Sequence, residues 1–211
     1  MGEDESNRRP IAARGSGWAN ALAAALARSA ITPNQISAAS VVFAGVGAAL
    51  LAGWPTWIGL LLCGVCIQLR LICNLIDGMV AMEGGKASAL GKIYNEFPDR
   101  IADSLLIVAL GHACGWAWLG WLGALLAALT AYVRVFGGSL GFAQDFRGPL
   151  AKQQRMAVLT VACVVGAVET FWHVERFALL GGAWIIAIGS ALTCVTRTRA
   201  IAAQLRAQGS T

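Results

Sequence analysis

The sequence predicts an all-α integral membrane protein, with six transmembrane helices and an N-terminal amphipathic surface helix, and three observations predict it. Hydrophobic residues make up 57% of the 211 and charged residues only 13%, about half the charge of a typical soluble domain. The apolar residues gather into runs of near twenty, the length that crosses a bilayer as a helix, and mean hydropathy is +0.65. Eight Trp against two Tyr supply rings of the kind that collect at membrane–water interfaces.

The first seventeen residues, MGEDESNRRPIAARGSG, are polar, with no apolar run behind a basic stretch and no small-residue cleavage site, so they do not read as a signal peptide. Gly2 with Ser6 matches a myristoylation pattern, a short match outweighed by several spanning helices. In residues 18–28, Trp18, Leu22 and Leu26 recur every four positions and predict a short helix lying on the membrane surface. Thr32-Pro33-Asn34-Gln35 has the makings of a capping box with Pro at the first helical position, so a first spanning helix is expected over about 33–53. Gly53-Trp54-Pro55 makes a turn, and a second apolar run covers about 55–80. Residues 82–97 are polar and glycine-rich and predict a loop or a frayed helix end. Further runs follow over about 98–115, 117–140, 156–172 and 177–196, with a basic loop at 141–155. The division expected is a tail and surface helix over 1–31, one membrane domain over 32–197, and a tail over 198–211. The six cysteines all fall in apolar stretches, and Cys63-x-x-Cys66 reads as two buried small hydrophobes.

Charge sets the orientation. With the N-terminus in the cytoplasm, the inside segments hold Arg8, Arg9, Arg14, Arg28, Lys86, Lys92, Arg100, Arg147, Lys152, Arg155, Arg197, Arg199 and Arg206, while the outside turns hold Arg176. That asymmetry predicts both termini on the cytoplasmic side of the cell membrane. The net charge of +5 is then explained by topology and anionic lipid. No nucleic acid is expected, because no aromatic residues interleave with the basic ones.

Of eleven acidic residues, five lie between 77 and 103: Asp77, Glu83, Glu96, Asp99 and Asp103. Solvation in a cytoplasmic loop accounts for Glu83. It does not account for Asp77, which ends an apolar run, or for Asp99 and Asp103, which open one, because a charge in a membrane domain is costly unless paired or coordinated. Asn74 and Asp77 share a helix face, and Asn95, Asp99 and Asp103 form a stripe if the third helix begins early enough. The two helices are joined by a short loop and are expected to be antiparallel neighbours that bring these groups together. Carboxylates and amides offer oxygen ligands alone, which suits Mg²⁺, Mn²⁺ or Ca²⁺. Gly78 and Gly91 leave room for phosphates to approach the backbone.

The pattern Asn74-x-x-Asp77-Gly78-x-x-Ala81-Met82, then eight residues, then Gly91-x-x-x-Asn95-x-x-x-Asp99 resembles the signature of the CDP-alcohol phosphatidyltransferases, D-x-x-D-G-x-x-A-R-x8-G-x-x-x-D-x-x-x-D. The spacing agrees throughout. Thr32-Pro33-Asn34, Gly148-Pro149-Leu150-Ala151-Lys152 and the six-helix count extend the likeness over nearly the whole chain. The chain departs from the signature at Asn74 and Asn95, where the family has Asp, and at Met82, where it has Arg. The resemblance implies transfer of a substituted phosphate group from CDP-diacylglycerol or a related CDP-alcohol to a small alcohol, with release of CMP, in a homodimer whose site opens to the cytoplasmic leaflet. It implies a pair of divalent metals, Mg²⁺ or Mn²⁺, with Asp77 a ligand and Asp99 a ligand and the base on the acceptor hydroxyl. Asp77, Gly78, Ala81 and Gly91 would flank the nucleotide. With two carboxylates replaced by amides, weaker metal binding or one metal in place of two is expected, and Asp103 or Glu96 are the acids nearest to hand to compensate.

Two arginines stand in apolar runs, Arg70 and Arg134. Each either snorkels to the interface or joins Arg147, Lys152 and Arg155 in a pocket for the phosphate of the donor or of an acidic acceptor. Two other readings compete with the transferase. One is an ion-coupled transporter relaying charge through Asp77, Asp99 and Arg70, against which stand the lack of an internal repeat and the clustering of acids at one face. The other is an inactive family member.

Overall fold

The computed structural model describes residues 16–83, 85–86 and 90–209. Among them are seven helices and no strand. A short helix, α1 (Gly17–Ala27), precedes six long ones: α2 (Pro33–Gly53), α3 (Trp57–Glu83), α4 (Gly91–Ala113), α5 (Ala117–Ser139), α6 (Lys152–Phe171) and α7 (Phe177–Gly209). Gly2 and Ser6 lie outside the described residues.

The capping box forms as the residues at 32–35 require. The Thr32 hydroxyl accepts from the Gln35 amide at 3.3 Å, and the Thr32 amide donates to the Gln35 side chain at 2.9 Å, so two otherwise orphaned donors at the start of α2 are satisfied. Between α4 and α5 the chain reverses at Gly115, whose φ of +79° suits a residue without a Cβ. Gly111 and Gly120 then let the two helices touch backbone to backbone. A Cβ on Gly111 would stand 2.5 Å from the Gly120 Cα.

Five helices, α2, α3, α5, α6 and α7, are long and apolar enough to cross a membrane. The chain is therefore a multi-pass membrane protein. Helix α4 is the exception in composition, because Lys92, Glu96, Asp99, Arg100 and Asp103 crowd its first half. Its 23 residues span about 34 Å at 1.5 Å per residue.

The six long helices pack in a ring: α2 against α3 and α4, α4 against α5, α5 against α7, α7 against α6, and α6 back against α3. Apolar side chains such as Leu51, Ile67, Leu106, Ile107, Met156 and Ile186 fill its middle, while Val42, Leu61, Leu125, Val161 and Ile188 face outward. Helix α1 packs Ala19 and Ala23 against Leu75, Ile76 and Met79 of α3 and leaves Trp18 and Leu22 exposed.

Several boundaries differ from the sequence-based expectation. Helix α4 begins at Gly91, so Pro98 lies within it. Proline removes one amide donor, and α4 is long enough to continue past it. Helix α6 begins at Lys152 and α7 runs on to Gly209, because polar residues beyond an apolar run still prolong a helix that has already been nucleated. The expectation that α3 and α4 pack as neighbours is corrected. Helix α2 lies between them, and they approach each other over only a short stretch.

Candidate active site

That short approach brings the signature residues of α3 and α4 together. Asn74 donates its side-chain amide to Asp99 Oδ1 at 2.9 Å, joining the two helices one turn beyond the point where Arg70 Nη2 meets Asp103 Oδ1 at 2.5 Å. Asp77 lies one turn past Asn74 and is 5% exposed. Its carboxylate accepts from the Ser37 hydroxyl of α2 and from the Gly78 amide, the latter at 2.6 Å. Helix α2, wedged between α3 and α4, thus supplies a direct partner to the signature acid. Beside Asp77 the described structure is open: beyond its own helix, a Cβ built on Gly78 would meet no described residue within 4 Å. Ala81 is half-buried near the end of α3, and Gly91 opens α4. Asn95 sits in the first turns of α4, and its side chain lies outside the described part.

Three cations close the inner side of this cluster. Lys152, 5% exposed at the start of α6, forms an ion pair with Asp99 Oδ1. Arg70, fully buried, reaches Asp103 and stands 3.6 Å from Asp99 Oδ1. Arg155 holds the other Asp103 oxygen at 3.0 Å and braces itself on Thr130 Oγ1 and the Leu150 carbonyl, at 3.2 and 3.0 Å. Arg70 is therefore buried in an ion pair and does not snorkel. Asp103 is 2% exposed, with an arginine on each oxygen. Glu96, two turns before Asp103 on α4, is held by other arginines: Arg134 Nη2 stands 2.5 Å and Arg100 Nη2 2.9 Å from its oxygens. The two acids nearest to hand for a metal are thus both held by arginines. Among the described residues no group of three or more His, Cys, Asp or Glu is placed to hold a metal ion.

The loop before α6 sets the positions of Lys152 and Arg155. Gly148, at φ +134°, passes so close to α7 that a Cβ would stand 2.4 Å from Thr193 Cγ2. The Leu150 amide donates to Thr193 Oγ1 at 3.0 Å, and Arg197 donates to the Arg147 carbonyl at 2.8 Å and the Thr130 carbonyl at 2.7 Å. Arg147 itself is a surface group on Asp145, with its side chain 71% exposed. Burial works to raise the Asp145 carboxyl, and hydrogen bonds and charge from Arg147 outweigh it, holding Asp145 below the usual carboxylate range. Arg134 donates to Gln144 and lies 5.2 Å over the Phe146 ring. With Arg197, Asp145, Phe142 and Gln204 it lines a cleft between α5 and α7.

Sequence reasoning did not find Ser37, Thr130 or the anchoring role of Arg197. The first two stand out as hydroxyls in apolar runs, which was the available signal. Arg197 was read only for its charge.

Comparison with known proteins decides the family. No family model matches the chain. An archaetidylinositol phosphate synthase of Aeropyrum pernix is 30% identical over 187 residues, 88% of this chain and 90% of that protein. The chain belongs to the CDP-alcohol phosphatidyltransferase family. This transferase is also 26% identical to a phosphatidylinositol phosphate synthase of Mycobacteroides abscessus, over 86% of its own length and 82% of the relative's. In fold it is similar to the phosphatidylinositol phosphate synthase of Mycobacterium tuberculosis solved with CDP-DAG bound. The TM-score is 0.72 at 18% identity, covering 88% of this chain and 94% of that one. The same enzyme solved in complex with manganese and citrate gives a TM-score of 0.71 at 19% identity, covering 87% and 88%. The transferase is an enzyme of phospholipid synthesis, which moves a substituted phosphate group from a CDP-linked alcohol to a second alcohol and releases CMP.

Proposed function

We propose that the transferase takes CDP-diacylglycerol as donor and a small phosphorylated polyol of the inositol phosphate class as acceptor. The observation that carries this reading is the meeting of Asp77, Asp99 and Asn74 beside the open side of Gly78. Oxygen donors of this kind fit a hard divalent cation, and the solved relative that holds manganese supports its use. Asp77 and Asp99 would hold the ion, with Asn74 and, by its place in the signature, Asn95 as further oxygen donors. A bound Mg²⁺ or Mn²⁺ supplies Lewis-acid stabilisation of the charge that develops on the departing CMP.

The protein's own groups do the rest. Gly78 admits the diphosphate against the backbone of α3, with Ala81 and Gly91 flanking the nucleotide. Among the described residues the two cation contacts and the one amide contact on the Asp99 side chain all fall on Oδ1, and Oδ2 takes the proton from the acceptor hydroxyl as it attacks phosphorus. An acidic acceptor is drawn to the cleft lined by Arg134 and Arg197, where the relatives' names, phosphatidylinositol phosphate synthase and archaetidylinositol phosphate synthase, agree with the chemistry. Arg147 adds a charge at its rim.

The proposed setting is a six-span homodimer in the cell membrane, with α4 as the sixth span, α1 on the cytoplasmic surface, and the site open to the cytoplasmic leaflet. The thirteen-to-one distribution of Lys and Arg supports this orientation. The experiment is mass spectrometry of lipids after incubating membranes that contain the protein with CDP-diacylglycerol, Mn²⁺ or Mg²⁺, and a panel of alcohols. A phosphorylated phosphoinositide and CMP are expected with inositol phosphate. CMP release with some other alcohol would move the acceptor, and none with any alcohol would point to an inactive family member.

A further inference from the structure

We propose that Lys152 is a built-in cation of this site, standing on Asp99 in place of a second divalent ion, so that the transferase works with a single Mg²⁺ or Mn²⁺. The inference rests on the metal-dependent reading above. Its basis is charge and donor chemistry at the junction of α3, α4 and α6.

Three buried carboxylates, Asp77, Asp99 and Asp103, meet three buried cations, Arg70, Lys152 and Arg155, and their charges cancel. Asp103 carries an arginine on each oxygen. Asp99 carries the Lys152 ammonium and the Asn74 amide on one oxygen, with Arg70 close by. Around these two acids the surplus is of donors: Arg70 Nε and Nη1 and Arg155 Nε are buried with no hydrogen-bond partner among the described residues. A region with unspent N–H groups is made for an anion or water and repels a second metal ion. Among the described residues Asp77 has hydroxyl and amide partners and no cation in ion-pair contact. A diphosphate diester arrives with two negative charges. One divalent ion balances them against an otherwise neutral cluster, whereas two would leave an excess of two positive charges in a site with little water, which is costly. Two signature positions carry an amide, Asn74 and Asn95, and the lysine on Asp99 accounts for why the chain tolerates that loss.

The test is manganese stoichiometry, read from the loss of the free-ion electron paramagnetic resonance signal, on full-length protein in lipid nanodiscs with CDP-diacylglycerol present. Wild type is expected to bind one Mn²⁺ per chain. Lys152→Arg, which keeps the charge, should also bind one. Lys152→Met should tighten Mn²⁺ at least tenfold by freeing Asp99, and Lys152→Met with Asn74→Asp should bind two. Two ions on wild type would overturn the proposal while leaving metal-dependent transfer intact. One ion on wild type with no change of affinity in Lys152→Met would remove Lys152 from the argument. No ion on wild type, with transfer surviving chelation, would instead sink the metal-dependent reading on which the proposal rests.

Discussion

Asp103 is held by Arg70 on one oxygen and by Arg155 on the other, so removing its charge takes the counter-ion from the buried Arg155 and leaves the buried Arg70 with Asp99 at 3.6 Å. Breaking a buried pair in this way costs about 3–5 kcal/mol. Asp103→Asn is therefore expected to lower the thermal unfolding midpoint in detergent markedly, and an unchanged midpoint would show that the ion pairs do not hold α3, α4 and α6 together. Gly78 is the opposite kind of position. A Cβ there would meet, beyond its own stretch of helix, no atom of the described residues within 4 Å, so Gly78→Ala should leave the unfolding midpoint where it is. If the diphosphate passes over that open side, the same substitution raises KM for CDP-diacylglycerol several-fold. Equal KM in the two proteins would place the diphosphate elsewhere.

At the scale of elements, the loop at 147–151 shows how a backbone conformation fixes a charge. Gly148 has φ +134°, a region that residues with a Cβ rarely enter, and it lies against Thr193 of α7. Gly148→Ala should displace the loop and with it the start of α6, which carries Lys152 and, one turn on, Arg155. The expected result is loss of transfer activity together with a destabilisation of about 1–3 kcal/mol, read from activity and thermal unfolding on the same preparation. Activity at the wild-type level would mean that the site does not depend on this approach. Elements were legible in the sequence where the cause was local. The capping box at Thr32, the turn at Gly53-Trp54-Pro55 and the runs of α2 and α5 all follow from residues a few positions apart. The start of α4 was misplaced because Pro98 and a cluster of charges mask a helix that tertiary contacts sustain. The insertion of α2 between α3 and α4 was invisible, since no sequence pattern states which apolar face meets which.

For the whole molecule, the same division holds for the site. Asn74, Asp77, Gly78 and Asp99 stand out in the sequence as candidates because a helix end, a short loop and a second helix impose a spacing. The partners of Asp103 were not, because Arg155 lies 52 residues away and joins it only through the ring of helices. Orientation belongs to this scale as well. The thirteen-to-one distribution of basic residues predicts a cytoplasmic C-terminus, so a reporter fused after residue 211 should be active only in its cytoplasmic form, and a periplasmic or extracellular signal would invert the site. Most directly, CMP release from CDP-diacylglycerol in the presence of the acceptor tests whether Asp77 and Asp99 form a metal-dependent transfer site. Wild type with Mn²⁺ or Mg²⁺ should release CMP, chelation should abolish it, and Asp77→Asn should reduce it about a hundredfold or more with little change in the unfolding midpoint. Full CMP release by Asp77→Asn, or by wild type under complete chelation, would contradict the account.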